Sequence, residues 1–571
     1  MCLLKIYWLI TANVKLQRFM SLRENISQAI VNHVLNRYGN RIVYANKILE
    51  AVKDLLHNHL DEYKFPQNLK NQPQFPKTKE DDFQELLSKI NEKETRRKKE
   101  GVYYTDRDVT DFLAVNTLLH FVKSSESKVF GYEKALRKLD RLDDSLKRKL
   151  ILATTLDPTC GTGEFLLSVL VVKIRLSQHL NGIESEEISR SIYGNDIESQ
   201  STEITKLRVF FLLVDSYAEE LDVLQISHNL NQNFTNVDAV VYDKKTFGKK
   251  DIVIGNPPYV EYRNFSGAPQ FSYGNVYADV LHHSVDTLPD NGIMSFVIPL
   301  SYISTIRMSN LRKYIMQNTD KQIVMNFADR PDCLFSCVHQ KLSIIIAQKH
   351  SEYKGVFTSS YNYWYQSERN LLFDNIALWR TNVNNDAYWP KVGNRIDNSV
   401  YDKFLKMKGD DILHFSTSGT TKGLQINTRG CFWMKAFTRD MNSKSYSTYP
   451  VPSNLYSFVY CLVNSSLFFL LWIIISDGWH ITNKELSFIK FPKEIGSVST
   501  WSDLASRLED KLEKTKVFVG TKQVDYEYKH KSCKDIIDEI DNELAKIYNL
   551  SQTQLEYIKN FGLKYRLGDG A

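Results

Sequence analysis

The sequence predicts an α/β fold in which a mostly parallel sheet is buried between helices. Three short apolar runs carry that expectation: residues 150–156, 191–194 and 251–255. None shows the alternation of a half-exposed strand, which is how strands covered on both faces read. Each runs at once into residues able to bind: Asp157-Pro158-Thr159-Cys160-Gly161-Thr162-Gly163, Asn195-Asp196, and Asn256-Pro257-Pro258-Tyr259. Open α/β sheets place their chemistry at the carboxyl ends of strands.

The first run leads through a glycine-rich turn into an apolar helix expected over 165–180. Gly161 and Gly163 let a ligand approach the backbone closely, at a helix N-terminus with its partial positive charge. The dinucleotide fingerprint wants a third glycine where Leu166 stands, and no Gly-Lys-Ser/Thr ending follows. The turn therefore suits a nucleoside with a carboxylate tail better than a pyrophosphate. Asp196, at the end of the second run, is positioned to accept from both hydroxyls of a ribose. Asp238, within 236–241, is a candidate acceptor for an adenine amine; a solvated loop acid is the alternative.

The third run ends in two consecutive prolines, which cannot donate backbone hydrogen bonds and hold the chain extended. Neighbouring carbonyls are then free to accept from a ligand. The Asn256 amide oxygen beside the Pro257 carbonyl can take both protons of an –NH2 group, and the Tyr259 ring can stack on a flat heterocycle. The plainer alternative is that Asn256 caps a loop. Upstream, residues 101–106 (Gly-Val-Tyr-Tyr-Thr-Asp) follow the basic run Arg96-Arg97-Lys98-Lys99, which reads as a solvated face. After them Val109, Phe112, Leu113, Val115, Leu118 and Leu119 have helical spacing, and Thr105 or Asp106 can cap that helix.

Taken together, GVYYT at 101–105, DPTCGTGEFL at 157–166 and IVIGNPPY at 252–259 resemble, in that order, the gamma class of amino-methyltransferases that use S-adenosylmethionine. Residues 288–299 are similar to the strand pair that follows NPPY in that class, 311–315 to its next helix, and 334–346 to its last hairpin. The resemblance covers roughly 95–350. Residues 462–478 and 535–566 resemble the tail of Type IIG-like restriction–modification methylases. Those enzymes fuse a nuclease to the methylase. Residues 1–95 hold no PD…(D/E)xK arrangement, and Glu527-Tyr528-Lys529 is an ExK of the kind that a Lys-rich chain produces by chance. A methylase without its own nuclease is expected.

The resemblance implies a Rossmann-like class I S-adenosylmethionine-dependent methyltransferase domain over 96–350. An N-terminal helical arm (1–95) precedes it and a C-terminal α+β target-recognition domain (351–571) follows. It implies a site-specific DNA methyltransferase acting on the N6 amine of adenine in double-stranded DNA, in a bacterial restriction–modification or defence system. Tyr104, Thr105, Asp157, Pro158, Cys160, Gly161, Gly163, Asp196 and Asp238 are the expected cofactor-binding residues, and Asn256, Pro257, Pro258 and Tyr259 the catalytic ones. Tyr259 and Phe335 are expected to stack on the target base, and no metal is expected. In the implied mechanism Asn256 and the Pro257 carbonyl draw the amine towards tetrahedral geometry, and its lone pair attacks the sulfonium methyl in line. The adenine must first leave the duplex. The expected partners are duplex DNA with a flipped adenine and a separately encoded restriction endonuclease; the expected state is a monomer in a bacterial cytoplasm. Alternatives are an RNA adenine methyltransferase and a protein-glutamine N-methyltransferase, which share the NPPY chemistry but are usually smaller. An N4-cytosine methylase more often has Ser at the position of Asn256.

Composition bounds the rest. A chain of 571 residues has room for two or three domains. Seven cysteines without CxxC or Cys/His ligand spacing argue for reduced thiols and against zinc or disulfides; Cys160 reads as a small packing residue. A net charge of +6 permits nucleic-acid binding without demanding it. Residues 1–10 faintly resemble a signal peptide but have one lysine and no small-residue cleavage site. They are expected to be a non-native extension, with Met20 the start. A Pro/Gln/Lys-rich linker is expected at 64–79. Residues 456–475 match a membrane span in length, but Asn464-Ser465-Ser466 in the middle predicts two buried core segments. The tracts 361–365 (Tyr-Asn-Tyr-Trp-Tyr) and 416–423 are what a DNA-reading surface presents, or the aromatics pack a small β core. Two amphipathic helices are expected at the C-terminus, the first with a stripe of Ile536, Ile537, Ile540, Leu544 and Ile547.

Overall fold

Parallel strands need long crossovers, and here helices supply them. The computed structural model describes residues 26–57, 59–70, 72, 80–88, 105–180, 182, 184–240, 247–265, 267, 269–335, 339–415, 420–521 and 525–568. Tyr104, the 96–99 basic run, residues 1–10, half of the 64–79 linker and residues 416–419 lie outside these. The chain divides into two units. The first comprises the described residues up to Ile298 with Tyr314–Lys321 and Ile345–Lys354; the second comprises Pro299–Lys313, Gln322–Ile344 and the described residues from Gly355 onward.

The first unit is built on five strands: β1 (Thr155–Asp157), β2 (Ile192–Asn195), β3 (Phe234–Thr235), β4 (Ile252–Gly255) and β5 (Ile293–Pro299). Their spatial order is β3-β2-β1-β4-β5, and every pairing is parallel. The register sets Thr155 against both Ile192 and Ile252, Gly194 against Phe234, and Gly255 against Phe296. The chain thus moves outward from β1 through β2 to β3, then returns to the other side of β1 as β4. That reversal is a topological switch point, where such sheets open a crevice at the strands' carboxyl ends.

The 150–156 run is less of a strand than its composition predicts. Asp143 caps a helix over Asp144–Leu152 by accepting from the Leu146 backbone N–H at 2.9 Å. Leu150 and Ile151 are the buried face of that helix, so the strand is left with Thr155–Asp157. The apolar helix after the turn runs over Glu164–Ser177, three residues short of the expected end. Residues 288–299 form one strand, β5, after a turn closed by the Gly292 N–H to the Pro289 carbonyl (2.9 Å); the expected strand pair is absent there. The N-terminal region contributes helix Ile42–Leu55, which buries Tyr44, Ala45, Ile48, Leu49, Val52 and Leu55 and packs on helices Ser199–Ser216 and Val223–Asn233.

One side chain ties the strand ends together. Asn195 is fully buried. Its amide nitrogen donates to the carbonyls of Pro158 and Val237, both at 2.9 Å. Its amide oxygen accepts from the Thr235 hydroxyl at 2.9 Å and the Val237 N–H at 3.0 Å. All the polar capacity of the amide is used inside the protein, between the loops that leave β1, β2 and β3.

The second unit holds a three-stranded antiparallel sheet in which Thr421–Asn427 lies between Ala436–Phe437 and Tyr446–Pro452. Helices Tyr456–Val463 and Ser466–Ile475 are bent by 61° at Asn464-Ser465. Nearly all their side chains are buried, as the sequence predicts, and among the described residues no single helix is long and apolar enough to cross a membrane. The bend is built by Asn464, whose amide donates to Tyr460 and Ala436 carbonyls, and by Ser465, which caps the second helix. In the aromatic tract, Tyr361 and Trp364 are buried; these two rings pack the interior and are not a reading surface. Helices Lys534–Ile547 and Gln552–Asn560 are the expected terminal pair, followed by a short third, Leu563–Leu567. Ile536, Ile537, Ile540 and Leu544 are buried as predicted, whereas Ile547 is only half-buried.

Removing the Asn195 amide leaves two carbonyls, an N–H and a hydroxyl to find new partners in a buried place. Asn195→Ala should therefore destabilise the first unit by roughly 2–4 kcal/mol, read by urea unfolding. A loss below about 0.5 kcal/mol would show that the loops hold without it.

Candidate functional site

The glycine-rich turn is shaped by backbone that other residues avoid. Gly161 and Gly163 have φ of 52° and 91°. A Cβ on Gly163 would sit 2.6 Å from the Thr205 methyl, and Thr205 donates to the Gly161 carbonyl at 2.8 Å. A Cβ on Gly161 would meet nothing within 4 Å, so open space lies directly over that peptide. The Cys160 N–H donates to the Asn195 carbonyl (2.7 Å), and the Gly163 N–H to Cys160 (2.8 Å). Cys160 is buried, and burial, with the nearby Asp196, pushes its thiol well above the usual range. It is a packing residue and no thiolate. Arg208 secures the far side of the turn, donating to the Thr162 carbonyl at 2.6 Å and pairing with Glu164.

Two carboxylates stand at the strand ends. Asp157 is buried and accepts from the Thr159 N–H at 3.0 Å; burial, with Asp196 adding to it, raises its carboxyl well above the ordinary value. A Cβ on Gly255 would come within 2.6 Å of Asp157 Oδ1, so the glycine before Asn256 is what allows β1 and β4 to lie side by side here. Asp196 accepts from the Gly161 N–H at 2.9 Å through one oxygen and from the Glu198 N–H at 3.0 Å through the other. A carboxylate has about four lone-pair positions, so each oxygen keeps acceptor capacity. Burial pushes the Asp196 carboxyl up to about 6. Asp238 is half-buried and accepts from the Val240 N–H at 2.9 Å.

The NPPY turn leaves β4 between these carboxylates and helix Arg107–Val122. The Asn256 amide nitrogen donates to the Thr105 hydroxyl at 3.0 Å. That bond fixes which way the amide points, and Oδ1 faces the Tyr259 hydroxyl, which donates to it. The Tyr259 hydroxyl also lies 3.0 Å from the Val297 carbonyl on β5, and its ring meets Tyr277 edge-on at 6.3 Å. The chain beyond is braced by the Val276 N–H to the Val260 carbonyl (2.9 Å) and by a bridge between Glu261 and Asn275. Pro257 is buried and Pro258 half-buried.

The first unit thus brings Thr105, Asp157, Pro158, Cys160, Gly161, Gly163, Asp196, Asp238 and residues 256–259 to one end of the sheet. Phe335 belongs to the second unit and is buried. Thr105 holds the Asn256 amide, and Asp106 stands at the N-cap of helix Arg107–Val122 without a side-chain bond to it. Sequence reading missed Thr205, Arg208 and the role of Asn195. The first two sit mid-helix, some 40 residues from the turn they support, and nothing in their local pattern marks them. Among the described residues no group of His, Cys, Asp or Glu could hold a metal ion. Chemically, the site offers acceptors without a nucleophile: two carboxylates, an oriented amide oxygen and an open glycine turn.

Known proteins resemble this chain in part. Residues 190–333 match the Eco57I restriction-modification methylase family. A protein of Methanocaldococcus jannaschii named as a type II restriction enzyme and methyltransferase is 25% identical over 227 residues, 33% of this chain and 18% of that one. The modification methylase CviBIII of Paramecium bursaria Chlorella virus NC1A is 22% identical over 240 residues, 41% of this chain and 46% of its own. The chain thus matches less than half the length of either relative. Among solved structures, the Type IIL restriction-modification enzyme MmeI in complex with DNA is 13% identical, with a TM-score of 0.48, over 96% of this chain and 98% of that one. The segment that carries NPPY lies within the stretch that matches the Eco57I restriction-modification methylase family.

Proposed function

We propose that the chain is a site-specific DNA methyltransferase that transfers a methyl group from S-adenosylmethionine to the N6 amine of adenine in double-stranded DNA, within a restriction–modification or defence system. The observation that carries this reading is the Asn256 amide, pinned through its nitrogen to Thr105 with its oxygen facing the Tyr259 hydroxyl, at the end of β4, the strand that pairs with β1 before the glycine turn. An acceptor so fixed suits a primary amine, and the switch point beside it suits a nucleoside.

The residues present are compatible with S-adenosylmethionine. Asp196 would accept from the ribose hydroxyls, the open face of Gly161 would admit the ligand to the backbone, and Asp238 would accept from the cofactor's adenine amine. The cofactor supplies an electrophilic methyl on a sulfonium sulfur, so the protein needs no nucleophile of its own. The task of the chain is to improve a poor nucleophile. Asn256 Oδ1 and the Pro257 carbonyl accept the two amine protons and draw the ring-delocalised lone pair back onto nitrogen. The incoming amine takes the place at Oδ1 that the Tyr259 hydroxyl holds, and the released ring stacks on the flipped base. The second unit would supply sequence recognition. Its segments 299–313 and 322–344 precede residue 351, so a cut at 350 would split it, and point substitutions are the cleaner probe.

Tritium transfer from labelled S-adenosylmethionine tests the reading. Duplex DNA should become labelled, and digestion to nucleosides should give N6-methyladenine. Label confined to RNA, to protein or to cytosine would reject it.

Asp196 adds a pH signature. Its carboxyl titrates near 6, and only the ionised form accepts through both oxygens. Cofactor affinity should be level above about pH 7 and should weaken as pH falls through 6. Asp196→Asn should bind more weakly at pH 8 and lose that dependence. An unchanged pH profile in the variant would remove Asp196 from the cofactor site.

A further inference from the structure

A second polar site lies wholly within the second unit, around Trp479. Three cations face its indole ring: Lys341 Nζ at 4.9 Å, the Arg330 guanidinium at 5.6 Å and the Arg429 guanidinium at 5.9 Å from the centroid. The ring is half-buried, whereas Arg330 and Arg429 are exposed. The turn that presents it is tightly specified. Asp477 accepts from the backbone N–H groups of Trp479 and His480 at 2.9 and 2.8 Å. The Gly430 N–H donates to the Trp479 carbonyl at 2.8 Å, and Arg429 and His480 form an isolated β-bridge, which sets Arg429 beside the ring. Gly478 has φ of 72°, and a Cβ there would press on the Tyr361 hydroxyl at 3.0 Å and the Lys341 stem at 3.2 Å.

The charges around the ring do not cancel. Lys341 pairs with Asp329 at 3.0 Å and His480 with Asp477 at 2.7 Å. Among the described residues no carboxylate pairs with Arg330 or Arg429, so two guanidinium charges remain. Stacking on an aromatic face occupies the flat side of a guanidinium and leaves its N–H edge free. An arginine edge is a two-pronged donor that matches phosphate oxygens, and a ring among cations is a footing common to nucleic-acid surfaces.

We propose that Arg330 and Arg429, both held over the Trp479 ring, are a phosphate clamp for the DNA backbone. The site carries the sequence-independent part of binding: it grips phosphates and reads no base. Lys341, already neutralised by Asp329, contributes its contact to the indole and holds the ring in place. This inference rests on the reading of DNA as substrate and adds the residues that hold it.

The test uses the full chain. Binding to a labelled duplex is measured by fluorescence anisotropy across a salt series, and methyl transfer is measured in parallel. Each lost phosphate contact lowers the slope of log affinity against log salt by about 0.9, so Arg330→Gln/Arg429→Gln should lower it by about 1.8. The Michaelis constant for DNA should rise while the turnover at saturating DNA and the affinity for S-adenosylmethionine stay as in the parent. Arg330→Lys/Arg429→Lys should restore most of the slope, which separates lost charge from misfolding. If the parent methylates DNA and the Gln variant keeps the parent's slope and Michaelis constant, the clamp is refuted while the proposed activity stands. If the slope falls as expected but the parent methylates no DNA, the clamp stands and the proposed activity fails. If the Gln variant loses affinity for an acidic protein or an RNA of equal length but not for DNA, the partner is wrong and the proposal is overturned.

Discussion

Four hydrogen bonds from one buried amide hold the working end of the sheet together. Asn195 satisfies itself entirely on the loops that leave β1, β2 and β3, and its own carbonyl receives the Cys160 N–H. A half-satisfied buried amide would cost more than an apolar side chain of the same size, so the arrangement is all or nothing. The glycine turn inherits its position from Asn195, and Asp196, one residue on, inherits it as well. The carboxylate that closes on the Gly161 N–H is presented by the same strand end that fixes Pro158.

A second constraint acts across β1 and β4. Asp157 occupies space that any side chain on residue 255 would need. Gly255 therefore marks where one strand's carboxylate meets the other strand's backbone, and Asn256 follows immediately. Burial keeps the carboxyls of Asp157 and Asp196 above their ordinary range. Two acids within one buried crevice resist ionising together, and a ligand that donates hydrogen bonds to one of them relieves that cost. On the other side of β4 the Thr105 hydroxyl orients Asn256. The crevice thus has an acidic flank at β1 and β2 and an amide flank at β4, one suited to a nucleoside's hydroxyls and the other to an amine's protons.

The strands, the glycine turn and the NPPY turn were legible because each is a contiguous pattern: an apolar run, then residues with one conformational meaning. What the sequence hid is what depends on distant partners. Leu150 and Ile151 looked like strand because the run was apolar, yet the cap at Asp143 claims them for a helix. Thr205 and Arg208 are ordinary helix residues until the fold brings them under the turn. Helix Ile42–Leu55 lies in a polar-looking region, and its average composition masked a stripe at 44, 45, 48, 49, 52 and 55. Tyr361 and Trp364 read equally well as a surface or a core, and only packing decides. The cations around Trp479 come from three separate stretches of chain, so no local window contains them.

In the proposed reaction the β1–β2 flank binds the cofactor and the β4 flank the target amine, and calorimetry with S-adenosylmethionine on two variants tests that division most directly. Asp196→Ala should weaken binding by roughly 1.5–3 kcal/mol, the cost of losing hydrogen bonds to a charged group. Asn256→Ala should bind the cofactor almost as the parent does while transferring no methyl group to DNA. Equal losses of cofactor affinity in both variants would contradict the division, because Asn256 would then be part of the cofactor site.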